Sequence, residues 1–99
     1  MTITQTVEWF DNIFELNKAP GDDKKSFYCG ITSNLEVRRV QHNVKQFLGT
    51  TRCDTFDTAK KLELAMYDAG YDTGKQLGNG TEESIYCYLY KKIPNVTKE

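Results

Sequence analysis

Residues 27–42 read FYCGITSNLEVRRVQH, and the reading of this stretch decides the fold. Residues 26–32, SFYCGIT, carry the aromatic and β-branched content of a strand. Ser33 or Asn34 then offers a side-chain oxygen to cap a helix. Val37, Val40, Val44 and Phe47 recur at helical spacing, which predicts a helix over 34–47 with these residues on one packed face. Arg38, His42 and Lys45 fall on the opposite side, with Arg38 and His42 one turn apart. Gly30, at the end of Tyr28-Cys29-Gly30, lets the chain turn or lets a ligand's phosphate approach the backbone. The planar fork of an arginine suits phosphate and stays charged. A histidine one turn on can orient or deprotonate a nucleophile near neutral pH.

Upstream, residues 7–16, VEWFDNIFEL, are rich in aromatic and β-branched residues and predict a first strand. Pro20, Gly21, Asp22 and Asp23 mark a turn after it, and a connection this short favours an antiparallel hairpin. Downstream, residues 48–53 predict a short strand and residues 56–69 a second helix. Asp54 or Thr55 caps that helix, Gly70 ends it, and Ala59, Leu62, Met66 and Ala69 form its apolar stripe. Glu63 lies about 40° from Ala59, at the border of that stripe. Residues 70–83 are a polar, glycine-rich loop. Residues 84–92 alternate Ile85, Cys87 and Leu89 with Tyr86, Tyr88 and Tyr90, the pattern of a strand. The tyrosine face is expected to lie under a helix, although three tyrosines could also stack nucleobases. The predicted order is β-β-α-β-α-β, an α+β fold with a small, mainly antiparallel sheet flanked by helices.

The whole sequence sets the bounds. Its 99 residues suit one domain spanning 1–99, with a modest core fed by twelve aromatic residues. No apolar run reaches the ~20 residues of a membrane helix, and the start lacks the pattern of a secretory leader. Cys29, Cys53 and Cys87 are odd in number and widely spaced, which argues against a disulfide framework or a structural zinc site. Cys29 and Cys87, inside apolar strand-like runs, read as buried thiols in a reducing, cytoplasmic setting, where the Asn-x-Thr triplets at Asn79 and Asn95 carry no meaning. The net charge is −1, so the chain lacks the overall basic balance that announces a nucleic-acid binder. Charge is unevenly placed, however. Lys24, Lys25, Arg38, Arg39, Lys45 and Arg52 face only Glu36 between residues 24 and 52, a net of +5, which leaves −6 for the remainder. A local basic patch on an acidic body suits an anion bound at one place.

Other chemistries fit poorly. Gly70 to Lys75 is one residue short of a phosphate loop, and Gln76 stands where a hydroxyl is needed. His42 is the lone histidine, with no nucleophile elbow near it and no neighbouring His or Cys with which to share zinc.

The run Tyr28-Cys29-Gly30, a polar turn, then Arg38 and His42 four residues apart resembles the second half of the GIY-YIG nuclease motif. The resemblance implies a glutamate on a later helix that holds one divalent ion, and Glu63 stands there. It implies a first motif half on the strand before Tyr28, where Asn12-Ile13-Phe14 stands with Asn12 for the glycine and Phe14 for the tyrosine. Ile31 replaces a residue that is often polar or basic in relatives. The function implied is metal-dependent endonuclease cleavage of phosphodiester bonds in DNA, with RNA or a nucleotide as further ligands of the same chemistry. Tyr28, Arg38 and His42 would be catalytic. Glu63 would bind one Mg²⁺ or Mn²⁺ ion, and Gly30, Arg39 and Lys45 would contact substrate, with Lys75 a further generic basic contact. Arg38 and the metal would have to lower the tyrosine pKa from ~10. Cutting both strands from one site calls for a homodimer or two nicks. The alternative, from a different functional class, is a catalytically inactive module of the same fold that binds nucleic acid, a nucleotide or a protein partner.

Overall fold

The computed structural model describes residues 1–74, 77 and 79–99; Lys75 and Gln76 lie outside them. Thr2 opens the first element. Its hydroxyl accepts from Gln5 N at 3.1 Å, and the Gln5 side chain accepts from Thr2 N at 2.9 Å. This reciprocal capping box starts helix α1, Ile3–Asn17. The strand expected at 7–16, and the hairpin built on it, are therefore replaced by a helix. Thr6, Phe10 and Phe14 repeat at helical spacing and are the buried residues of α1, so burying one face decides against the local strand preference of the aromatics.

After a 3-10 turn at Lys24–Ser26, strand β1 spans Phe27–Thr32, helix α2 Leu35–Gln41, strand β2 Gly49–Arg52, helix α3 Phe56–Asp68 and strand β3 Tyr86–Lys91. The order is thus α-β-α-β-α-β. The α+β class and the antiparallel sheet stand as expected; the first element does not. Asn34 caps α2 by accepting from Val37 N at 3.0 Å. Helix α2 stops six residues short of the expected end, because Asn43 adopts φ +55°, a left-handed conformation that terminates helices. In α3, Thr55 caps through Thr58 N, and Gly70, at φ +111°, takes the conformation that turns the chain out of the helix end.

The sheet order is β1-β3-β2, with both pairings antiparallel. Tyr88 of β3 stands between Gly30 and Thr50. One face of the sheet carries Phe27, Cys29, Ile31, Cys87 and Leu89, which pack with Phe10, Phe14, Leu62 and Met66. Each large apolar side chain buried there contributes roughly 1.5–3 kcal/mol relative to exposure. The other face carries Tyr28, Tyr88 and Tyr90 under Leu35, Val44 and Phe47. Tyr88 and Tyr90 are thus covered, by Leu35 of α2 and by Val44 and Phe47 beyond its end, whereas Tyr86 is half-buried outside this cluster. The face of α2 is not as expected: Val37 and Val40 are exposed, whereas His42 is buried. With only two turns, α2 cannot align Val37 and Val40 with Val44 and Phe47, which lie beyond its end.

β1 has one more neighbour. Cys29 N donates to Asp72 O at 2.8 Å and Asp72 N to Phe27 O at 3.1 Å. Residues around Asp72 thereby run parallel to β1 along the side away from β3, flanking Tyr28.

Candidate active site

A cavity of about 570 Å³ lies beside β1. Tyr28 and Gly30 reach it from β1, Arg38 from α2, Glu63 from α3 and Tyr88 from β3. Thr73, Gly74 and Ser84 line it from the segment joining α3 to β3, and Glu99 closes one side. Of the residues expected at the site, Tyr28, Gly30, Arg38 and Glu63 therefore share one concave surface. Glu63 is buried where the stripe of α3 meets the cavity.

Four expected residues are elsewhere. Asn12 and Phe14 lie on α1. Phe14 is a core residue, its ring 5.0 Å from Phe27 and edge-on to Tyr71; neither lines the cavity. Arg39 folds back on its own helix. It pairs with Glu36, and its Nη1 donates to the carbonyls of Val44 and Lys45 at 2.7 and 3.1 Å. These bonds close the C-terminal end of α2 and take Arg39 out of service as a phosphate contact. Lys45 is exposed beyond α2 and lines a separate, more apolar hollow with Val96 and Tyr90.

His42 does not line the cavity; it stands behind it. Its Nδ1 bonds the carbonyl of Lys98. A carbonyl only accepts, so Nδ1 carries the proton and Nε2 is the acceptor. The group on Nε2 is the Tyr88 hydroxyl at 2.8 Å, which therefore donates to His42. Tyr90 completes the cluster, its hydroxyl 3.1 Å from Nδ1. Burial lowers the His42 pKa below its ordinary value; the Lys98 carbonyl opposes this and the Arg38 charge adds to it. His42 is therefore neutral at pH 7. Tyr88, which the sequence reading assigned to sheet packing, is the residue through which His42 meets the cavity. The alternation of β3 marked Tyr88 as facing α2, but no local pattern could reveal a partner 46 residues away.

Tyr28 is half-buried. Its pKa is pushed up to about 12, chiefly by burial and then by the charges of Asp72, Glu63 and Glu99, while Arg38 pulls weakly the other way. Arg38 pulls the Tyr28 pKa down, as expected, but burial and the three carboxyl groups outweigh it. Tyr28 is therefore a neutral hydroxyl at pH 7. Asp72 anchors the neighbouring loop. Burial favours its neutral form, but bonds from Glu99, Lys92 and the Gly74 N–H outweigh that and hold it at about 2. Glu99 is raised by the same contact with Asp72.

Among the described residues, the cavity lining carries one guanidinium against the carboxyl groups of Glu63 and Glu99. Such a lining repels a phosphodiester unless a cation joins it. Carboxylate and hydroxyl oxygens are the donors that magnesium takes, usually with several waters retained. The Thr73 hydroxyl is an orphan in this lining, buried with no hydrogen-bond partner among the described residues. The donor set therefore fits a hard divalent ion and its hydration shell. Among the described residues, no three His, Cys, Asp or Glu side chains gather into a ready-made metal cage, so Glu63 would be the anchoring protein ligand.

A protein-family model described as the GIY-YIG catalytic domain matches residues 13–91. No curated protein and no solved structure matches the chain.

Proposed function

This chain belongs to the GIY-YIG catalytic-domain family, a nuclease family, and on that premise we propose that it is an endonuclease hydrolysing phosphodiester bonds in DNA with one Mg²⁺ or Mn²⁺ ion held at Glu63. The observation that carries this reading is the meeting of Glu63, Arg38 and Tyr28 in one cavity. They come from a helix, a second helix and a strand far apart in sequence. When bound, the ion supplies positive charge to the scissile phosphate and acidifies a water.

The protein's own part follows from the geometry. Arg38 contributes a fixed positive charge and a two-pronged donor for phosphate oxygens. It makes no ion pair among the described residues, so its guanidinium is available to substrate. The neutral Tyr28 hydroxyl can orient the attacking water by donating to or accepting from it. Tyr88 presents a second hydroxyl whose proton is directed onto His42. His42 is thus a positioning residue, and it can take up a proton passed through Tyr88 because it is neutral at pH 7. Gly30 keeps the floor open, as any side chain there would occupy the space of the Tyr88 hydroxyl.

The test is nicking of supercoiled plasmid DNA with Mg²⁺ or Mn²⁺ by the wild type, Glu63→Gln and Arg38→Ala. The wild type should give nicked circles, and each variant should lose at least about 100-fold in rate. Linear product appearing together with nicked circles would indicate two copies acting on one duplex. Nicking that survives Glu63→Gln would refute the assignment. The burial of Phe14 in the core, which leaves the site without a tyrosine from the first motif half, favours one alternative: a module that binds DNA without cutting it. Retained DNA binding with no cleavage under any metal would establish it.

A further inference from the structure

We propose that Thr73 is a substrate-contacting residue whose hydroxyl donates to a non-bridging oxygen of the bound phosphodiester, supplied by a segment that follows α3 rather than by one that precedes β1. The proposal rests on the cavity being a phosphodiester site. Three observations support it. First, the resemblance places the first motif half on a strand beside Tyr28, but residues 12–14 lie in a helix. Asp72 flanks Tyr28 on the side of β1 away from β3, through Cys29 N to Asp72 O at 2.8 Å and Asp72 N to Phe27 O at 3.1 Å. Second, the chain turns sharply after Thr73. Gly74 adopts φ +76° and donates its N–H to Asp72 Oδ1 at 2.9 Å. It lies so close to Tyr28 that a Cβ there would stand 2.7 Å from the phenolic oxygen. The turn thus holds the backbone that follows Thr73 against the Tyr28 hydroxyl.

Third, Thr73 is 5% exposed and lines the cavity, and its buried hydroxyl is without a partner among the described residues. Buried polar groups are satisfied in nearly every folded protein, and an exception asks for a reason. A hydroxyl can donate to an anionic oxygen, which a carboxylate cannot. It therefore complements Arg38 on the anionic oxygens of a phosphodiester. Thr73 thereby adds a hydroxyl to those of Tyr28 and Tyr88 in the lining, although Phe14 supplies none.

Thr73→Val keeps the shape and removes the hydroxyl; Thr73→Ser keeps the hydroxyl. Three readouts are compared: plasmid nicking kinetics with Mg²⁺, anisotropy of a labelled short DNA duplex with Ca²⁺ in place of Mg²⁺, and melting temperature. Thr73→Val should lose roughly 10- to 100-fold in kcat/KM, the worth of a hydrogen bond to a charged group. Its melting temperature should not fall, and Thr73→Ser should recover most of the loss. If the wild type nicks and Thr73→Val nicks equally well, the Thr73 assignment fails and the nuclease reading stands. Loss of activity in step with a lower melting temperature would make Thr73 structural and would overturn the proposal. If the wild type binds the duplex without nicking it, the nuclease reading fails, and weaker binding by Thr73→Val supports the contact while unchanged binding overturns it. A wild type that neither nicks nor binds overturns both.

Discussion

Gly30→Ala is the most informative single substitution in this fold. A Cβ at position 30 would collide with the Tyr88 hydroxyl and lie 2.6 Å from its Cζ and 3.1 Å from its Cε2. The far end of a tyrosine would normally swing away at little cost, but this one cannot. Tyr88 is 1% exposed, its ring sits 4.5 Å from Phe47, and its hydroxyl is held by His42 at 2.8 Å. Forcing extra volume into such packing costs about 1–3 kcal/mol. Losing the bond to His42 leaves a buried ring nitrogen unsatisfied, at about 1–3 kcal/mol more. The stiffer unfolded chain returns roughly 0.4–1 kcal/mol. The net is about 2–4 kcal/mol, a large share of the ~5–15 kcal/mol that holds a domain together. At roughly 4–8 °C per kcal/mol for a chain of this size, the melting temperature should fall by about 10–30 °C. Thermal unfolding followed by circular dichroism measures it. Adding Tyr88→Phe should recover part of the loss, since it removes the colliding oxygen and leaves the ring. A fall of less than about 4 °C, the equivalent of 1 kcal/mol, would refute the claim that Tyr88 is pinned.

Two further outcomes are expected. His42 has a folded-state pKa below its unfolded value of 6.5, so the unfolded chain binds the proton first. The stability gained from a neutral His42 is full above pH 6.5 and is lost as pH falls through 6.5 toward the lower native value. The melting temperature should therefore drop across that window in the wild type, and His42→Asn should flatten the slope. As the sole histidine, its ring resonances also report the titration directly by NMR. Arg39→Ala should leave plasmid nicking within about twofold of wild type. It should cost roughly 0.5–1.5 kcal/mol in stability, because Arg39 bonds the end of its own helix rather than substrate.

Much of this architecture was readable before any coordinates, and the failures have physical causes. Helix α3 announced itself through Thr55, the stripe of Ala59, Leu62 and Met66, and Gly70. The β3 strand announced itself through strict alternation. The N-terminal residues were misread because Trp9, Phe10, Ile13 and Phe14 each favour strands locally. The signal that would have corrected this was also local: Thr2-x-x-Gln5 is a capping-box pattern, and it precedes Ile3, Val7, Phe10 and Phe14 at helical spacing. The face of α2 was inverted because periodicity was read over fourteen residues, whereas only seven are helical. At the site, Tyr28, Arg38 and Glu63 were legible from motif spacing. Tyr88 and Thr73 were not. Tyr88 reaches the cavity bonded to His42, and Thr73 follows the residue paired with the edge of β1, and both arrangements exist only once distant parts of the chain have met.

The place of β3 in the sheet governs the order in which the molecule can be made. β1 and β2 each pair with β3 and not with one another, and β3 follows both in the chain. Every strand pairing must therefore close a long loop, with Gly49 meeting Leu89 and Phe27 meeting Lys91. Loop closure of that length must be met before the sheet's contacts repay it. A nascent chain that has reached α3 can bring α1 and α3 together, yet its two strands still lack the partner that joins them. Synthesis of residues 86–91 is then the event that supplies the strand with which both β1 and β2 pair. The same event brings Tyr88 to His42, and the site is complete once Lys98 bonds His42 and Glu99 closes the cavity.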